Sequence, residues 1–435
     1  MNDNGFLEKT FRLKENNTTV RTEFLAGITT FMTMSYILAV NPLILADAGM
    51  DPGGVFTATI IASVIATLLM AFLANYPFAL SAGMGLNAFF AYSVVLGGGH
   101  TWQFALTAVF LEGIIFLLMS LFKVREAIFN AIPLTLKKAV SVGIGLFIAL
   151  IGFSNSGLVV NGEGTILGLG QVTSGPVIVT LFGLILTGVL LAMNFRGAIL
   201  VGILGSTILA IILGVTSLPE KLFSMPPSLS SVAMQLEFKN IFTFEMAVIV
   251  FTFLFVDIFD TIGTLIGVAT KAEMLDDKGQ LPKAGKALLA DAVGTTAGAL
   301  LGTSTVTTYV ESASGVADGG RTGLTSVSTA FFFFICLFLF PIFAIVPGSA
   351  TAPALIIVGL FMMTPIKDID FSDFTEAIPA FLTITMMPFA YSIAEGIVFG
   401  MISYVLLKVL TGKFKDVSIL MYILAVIFIL KLIFV

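Results

Sequence analysis

The sequence predicts an all-α polytopic membrane protein of about fourteen transmembrane segments built as two inverted sevens, and three observations carry that expectation. The 435 residues are 57% hydrophobic and only 11% charged, against about 25% charged in soluble globular chains. Once fourteen segments are drawn, nearly every basic residue falls on the loops of one side. The third segment of each half is broken by polar residues and glycine at what should be membrane depth, and paired interruptions of this kind point to a midplane binding site between inverted repeats.

Taken in order, residues 1–22 are polar and lack the short apolar core and small-residue cleavage site of a secretory signal. The first span is therefore expected to stay in the mature chain. A window of about 19 residues marks apolar runs at 23–46, 55–74, 77–96, 102–122, 138–153, 175–193 and 197–214 in the first half. The second half has runs at 244–269, 285–302, 324–346, 351–364, 376–390 and 391–411. The polar stretch around Glu311 completes the fourteen and is segment 10 in chain order. The runs 138–153 and 351–364 fall short of the roughly 20 residues of a straight span, which suits a wall around a cavity. Amphipathic interfacial connectors are expected over Val124–Thr135 and Asp370–Ala377. A last run, Val417–Val435, is long enough either to cross the membrane or to lie in its interface.

Loop charges test the count. With the N-terminus cytoplasmic, 18 of the 21 basic residues fall on that side, Lys221 and Lys239 fall opposite, and Lys431 lies in the tail. Miscounting a single span would destroy this bias. A multi-pass protein of the cell membrane with a cytoplasmic N-terminus is the expected localisation, with membrane lipid as its surroundings and no role for nucleic acid. The single cysteine, Cys336, permits no intrachain disulfide, and the single histidine, His100, removes multi-histidine metal sites. Neither a metal nor a cofactor is expected.

The stretch Leu301–Thr325, LGTSTVTTYVESASGVADGGRTGLT, places Glu311 and a run of hydroxyls between two apolar spans. An ionised residue at the bilayer centre costs about 2.5–3.5 kcal/mol even on insertion scales, so this stretch should face protein or water as a half-helix broken toward a cavity. A re-entrant structural loop is the plainer alternative. Its counterpart is Pro77–Asn87, where Gly83 and Gly85 permit close backbone approach and Asn87 offers both donors and an acceptor. Asn87 suits the edge of a planar heterocycle, and equally an amide tying two broken helices together.

Segment 8 carries Asp257 and Asp260 amid apolar residues. Positions three apart on a helix sit about 60° from each other, and Thr261 sits about 40° from Asp257, so one polar stripe results. Two acids one turn apart repel when both are ionised, which makes the pair a candidate proton-coupling device; a helix cap and a hydrogen-bonded core residue are the alternative. Glu112 ranks below Asp257 and Glu311 because no broken helix accompanies it. Phe89, Phe90 and Tyr309 could stack on a ring but fit packing better, Asp318 with Arg321 reads as a turn and charge anchor, and His100 and Trp102 fit the outer interface.

Four motifs in this order, AGITTFMTMSYILAVNP, GMGLNAFFAY, DIFDTIGTLIGVA and ESASGVADGGRTGLTS, resemble the adenine–guanine–hypoxanthine permease branch of the nucleobase/cation symporters, over nearly the whole chain to about Lys415. The resemblance implies that segments 3 and 10 each contain a short extended strand with the substrate between them. It implies a core, substrate-binding domain of residues 1–122 and 244–346, a gate domain of 123–243 and 347–415, and an apolar tail of 416–435. By motif position the substrate carboxylates fall on Asp257 and Glu311, the amide on Asn87 and the secondary acid on Asp260, with Thr261 and Val310 beside them. The sequence departs from the branch at Ala82, where proline is expected before Gly-Met-Gly.

The expected function is import of a purine base, adenine, guanine or hypoxanthine, in symport with a proton. Asp257, Asp260 and Glu311 are the coupling acids; sodium stays open as the other coupling ion, and a homodimer stays open as the assembly. The same fold could carry another nucleobase or a small anion, although an anion calls for a cation or bare helix N-termini at the centre rather than an acid pair. A channel would conduct without concentrating. An intramembrane aspartyl protease would need two aspartates converging from separate helices, whereas here both lie on segment 8.

Overall fold

Every apolar run becomes helix, and the two polar interruptions become strands. The computed structural model describes residues 5–122, 132–162, 164–239, 241–276 and 281–434; the expected connector at Val124–Thr135 falls largely outside them. Segment 1 is Val20–Met34 and Ile37–Asp47, bent at Ser35–Tyr36, and segment 2 is Pro52–Leu69 with a π turn through Ala74. Segment 3 opens with β1, Leu80–Ala82, and continues as Met84–Ala88 and Phe89–Gly97. Segments 4 and 5 are Trp102–Phe122 and Leu134–Asn155. An exposed hairpin, β2 at Val159–Gly162 and β3 at Thr165–Leu169, leads to segments 6 and 7, Gly175–Ala192 and Ala198–Ile212.

The second half repeats the plan. Segments 8 and 9 are Phe244–Lys271 and Ala284–Leu301; segment 10 is β4, Val306–Thr308, followed by Ser312–Ala317. Segment 11 runs in three pieces from Gly323 to Ala344, and segments 12, 13 and 14 are Gly348–Met362, Phe374–Phe389 and Ile393–Leu410. Among the described residues, nine helices are long and apolar enough to cross a membrane, while segments 3, 7 and 13 are shorter apolar helices. Two expectations are corrected. Segment 5 is not short: its helix has 22 residues, because it starts at Leu134, ahead of Lys137 and Lys138, whose charges end the apolar run in a hydropathy window. Asp370–Ala377 is not a separate connector, since Asp373 caps the segment 13 helix that begins at Phe374; the short element before it is a 3-10 turn at Thr364–Asp368.

The segments pack in two groups. Segments 1 and 2 pair with 11, segments 2 and 4 with 9, and segment 4 with 8, while segment 5 pairs with 12 and 13, segment 6 with 7 and 12, and segment 13 with 14. The tail forms a helix, Ile419–Phe434, antiparallel to segment 14: Lys431 pairs with Glu395 in the first turn of that helix, and the Phe428 ring lies 5.6 Å from that of Phe251 on segment 8.

At the crossing of segments 3 and 10, β1 and β4 pair antiparallel in the register Leu80↔Thr308, Ser81↔Thr307, Ala82↔Val306. A two-stranded ladder leaves each strand an outer edge, and an unsatisfied edge is not viable at membrane depth. Each half solves this with a threonine of the preceding helix. Thr67 of segment 2 donates to the Leu80 carbonyl at 3.2 Å and accepts from its N–H at 3.0 Å; Thr295 of segment 9 does the same for Val306 at 2.9 and 3.3 Å. The ladder is extended by the Gly83 N–H to Thr305 and the Tyr309 N–H to Ala79. By antiparallel alternation the N–H of Ala82 points away from β4, so this position takes alanine or proline without loss of a ladder bond.

Thr295→Val removes both partners of Val306 from a fully buried site. The expected cost is about 1–3 kcal/mol for the orphaned backbone groups, read as a lowered melting temperature in detergent. Thr296→Val, whose hydroxyl only bonds back to the Ala292 carbonyl at 2.8 Å, is the control and should melt within a degree or two of the parent.

Candidate functional site

Segments 3, 8 and 10 face segments 5 and 12 across one cavity of about 430 Å³. Gly85, Asp260 and Glu311 line its inner end, at the crossing of segments 3 and 10, and the half-exposed Val310 stands beside them. The face of segment 8 turned to it, Val256, Phe259, Asp260, Gly263, Thr264 and Gly267, follows the helical spacing and, Phe259 apart, keeps side chains small. Gly85 makes the close approach to the opposite group: a Cβ there would lie 2.8 Å from Cγ2 of Ile144 on segment 5.

Glu311 stands at the cap of the half-helix Ser312–Ala317. Its Oε1 accepts from the Tyr36 hydroxyl at 2.8 Å, so the bend in segment 1 supplies the donor that orients this carboxylate. Tyr36 lies 275 residues away in the chain, and nothing local in the sequence marked it. Glu23, at the start of segment 1, was likewise missed. It is buried and accepts from the N–H groups of Arg321, Thr322 and Thr325 and from the Thr325 hydroxyl, fixing the exit of segment 10.

Of the residues singled out in the sequence, Asp260, Val310 and Glu311 share the cavity wall. Asp257, Thr261 and Asn87 are buried and do not line it. They form a second ring that holds the approach to β4. The Thr261 hydroxyl lies 3.0 Å from Asp257 Oδ1, 3.1 Å from Asp291 Oδ1 and 2.7 Å from the Thr307 hydroxyl. Asn87 accepts from the Ser304 hydroxyl, while its Nδ2 has no hydrogen-bond partner among the described residues. Thr303 is reached by Asn41 at 3.0 Å, and Thr305 donates to Glu112 at 2.7 Å. The hydroxyl run before β4 is thus pinned, residue by residue, by two amides and a carboxylate from segments 1, 3 and 4, and the Thr261 hydroxyl of segment 8 holds Thr307 within β4; the polar character of the stretch serves to hold an extended strand in a helical surrounding.

The remaining candidates serve packing. Phe89 meets Phe253 edge-on with centroids 4.7 Å apart, and Tyr309 donates to the Ala82 carbonyl. Arg321 does not pair with Asp318: it donates to the Val316 and Gly320 carbonyls, and Asp318 pairs instead with Arg196, between segments 6 and 7, and accepts from Thr29 at 2.6 Å. His100 bonds Glu245 at 2.9 Å. Among the described residues there is no cluster of three histidine, cysteine, aspartate or glutamate side chains of the kind that holds a metal ion.

Comparison with known proteins matches residues 21–399 to Xan_ur_permease, the Permease family. The chain is similar to the adenine permease AdeQ of Escherichia coli strain K12, 43% identical over 434 residues that cover 100% of this chain and 98% of that protein. It is similar to the guanine/hypoxanthine permease PbuG of Bacillus subtilis strain 168, 45% identical over 435 residues, 98% of this chain and 99% of that one. Among solved structures, the transmembrane domain of the cyanobacterial bicarbonate transporter BicA superposes with a TM-score of 0.66 at 15% identity, covering 87% of this chain and 97% of that one; the likeness is one of fold, two inverted sevens.

Proposed function

We propose, for a chain that belongs to the Permease family and is therefore a membrane transporter rather than an enzyme, that it imports a purine base together with a proton across the cell membrane, with its N-terminus in the cytoplasm. The observation that carries this reading is that Asp260 and Glu311 sit on the wall of one largely apolar cavity where segments 3 and 10 cross. A purine presents N–H groups on a planar, otherwise apolar ring, and two carboxylates set in an apolar wall accept such groups strongly. The relatives named as adenine and guanine/hypoxanthine permeases, similar over nearly their full length, support the substrate class.

Residues 1–122 and 244–346 act as the substrate-binding core in this reading and 123–243 with 347–415 as the gate, supported by the two packing groups and by a cavity that lies between them. Glu311 and Asp260 contact the base directly, with the backbone at Val310. Asp257, Thr261 and Asn87 act from behind, through Thr307 and Ser304. A small anion fits the site between segments 3 and 10 poorly, since both charged groups there, Asp260 and Glu311, are acids.

Uptake of a labelled purine into proteoliposomes with an imposed inward proton gradient tests the class and the substrate together. Unlabelled adenine, guanine or hypoxanthine is expected to compete at micromolar to millimolar levels and uracil is not. Competition by uracil or bicarbonate, with none by the purines, would overturn the reading.

A further inference from the structure

The cavity carries charges of both signs, which a free base does not require. At about 430 Å³ it falls in the range of about 300–1,000 Å³ that houses drug-sized ligands. The acids occupy only its inner end. Its rim is formed by Leu134, Lys137 and Lys138 near the start of segment 5, with Thr364 and Pro365. The Lys137 ammonium stands 5.9 Å from the centre of the Phe259 ring, and Phe259 is the chain neighbour of Asp260. Lys138 is held at the rim by a 2.9 Å bond from its Nζ to the Asp368 carbonyl. Along segment 5 the wall therefore runs from Ile144, packed against Gly85 near the carboxylates, through Val140 to the two ammonium groups near the start of the helix, with the Phe259 ring beside Lys137.

A base alone engages only the inner end of that sequence. A ligand with N–H groups at one end, a sugar in the middle and a phosphate at the other matches all of it. We propose that the cavity also takes a purine nucleoside monophosphate from the lysine-rich face, base toward Asp260 and Glu311 and phosphate on Lys137 and Lys138, and that the bound nucleotide blocks transport. This rests on the base site proposed above and adds to it a cytoplasmic inhibitor. The phosphate could also come from a lipid headgroup, and the test separates the two sources.

The full chain is reconstituted in phosphatidylcholine vesicles, with and without phosphatidylglycerol, and exchange of labelled base is followed. AMP, GMP, their nucleosides and inorganic phosphate are presented in turn on the lysine-rich face. A matching nucleotide is expected to inhibit at concentrations about tenfold below its nucleoside, while inorganic phosphate, alone or mixed with the nucleoside, adds nothing. The double variant Lys137→Gln/Lys138→Gln should lose that tenfold advantage, as expected for charge-assisted bonds worth about 1.4 kcal/mol or more together, and Lys137→Arg/Lys138→Arg should restore it. Nucleotides no better than nucleosides in the wild-type chain, which needs no variant to fold, would overturn the proposal. So would an advantage that survives both glutamines, or one abolished by phosphatidylglycerol, which would assign the rim to lipid. Failure of the free bases to exchange would instead bring down the base site itself.

Discussion

Glu311→Gln is expected to abolish concentrative uptake while leaving the chain folded and inserted. The amide keeps the length of the side chain, and its carbonyl oxygen can still accept from the Tyr36 hydroxyl at the 2.8 Å contact the carboxylate now makes. What the substitution removes is the negative charge and the second accepting oxygen on the cavity wall. In their place it puts an N–H₂ group facing the N–H groups of the base. A hydrogen bond to a charged group is worth about 1.5–3 kcal/mol, so losing two, with one replaced by a donor–donor clash, should weaken binding by at least about a hundredfold. Equal amounts of protein in the membrane, an unchanged melting temperature and a base affinity reduced by that factor are the expected readings. Wild-type accumulation by the variant would end the role of Glu311. Tyr36→Phe, which leaves the charge and removes only its orienting donor, should fall between the two.

Much of this arrangement was legible before any coordinates, for definable reasons. Hydropathy and the one-sided placement of lysine and arginine report on the solvent around each segment, and that is a local property of sequence. Breaks at segments 3 and 10 were visible because Glu311, Gly83 and Gly85 are anomalous where they stand. Which partners satisfy the broken backbone was not visible, since Thr67 and Thr295 look like any other threonines on apolar helices. Their role depends on the ladder register, and register is set by contacts between residues more than 200 positions apart. Nor did helical spacing separate the two aspartates of segment 8. A helical wheel places them about 60° apart, close enough to read as one stripe, yet in the packed structure that angle divides the cavity wall from the back of the helix. The family resemblance ranked Asp257 first among them; in the structure it is Asp260 that lines the cavity.

That division gives the two aspartates different expected signatures. Asp260→Asn should weaken base affinity, because a cavity-lining acceptor is lost, and should leave accumulation dependent on the proton gradient. Asp257→Asn should do the opposite. The Thr261 hydroxyl has one hydrogen and three oxygen neighbours, on Asp257, Asp291 and Thr307, so it can donate to only one of them at a time. A proton arriving on Asp257 turns that acceptor into a donor and frees Thr261 to donate elsewhere, toward Asp291 or toward Thr307 in β4, the strand that leads to Glu311. On the proposed coupling, protonation at a buried group would thereby be converted into a change of partners at the strand beside the site, and buried ionisable groups at membrane depth are the usual places for such a relay. Asparagine at 257 fixes the partners permanently. Base exchange without a gradient should therefore persist, while accumulation against a gradient falls to simple equilibration, a concentration ratio near one. The measurement is purine uptake into sodium-free vesicles, alkaline inside, with and without a protonophore, in the parent and both variants. Full accumulation by the parent after the proton gradient collapses, or a strict requirement for sodium, would sink proton coupling and leave the binding site standing; gradient dependence lost in Asp260→Asn but kept in Asp257→Asn would exchange the two roles.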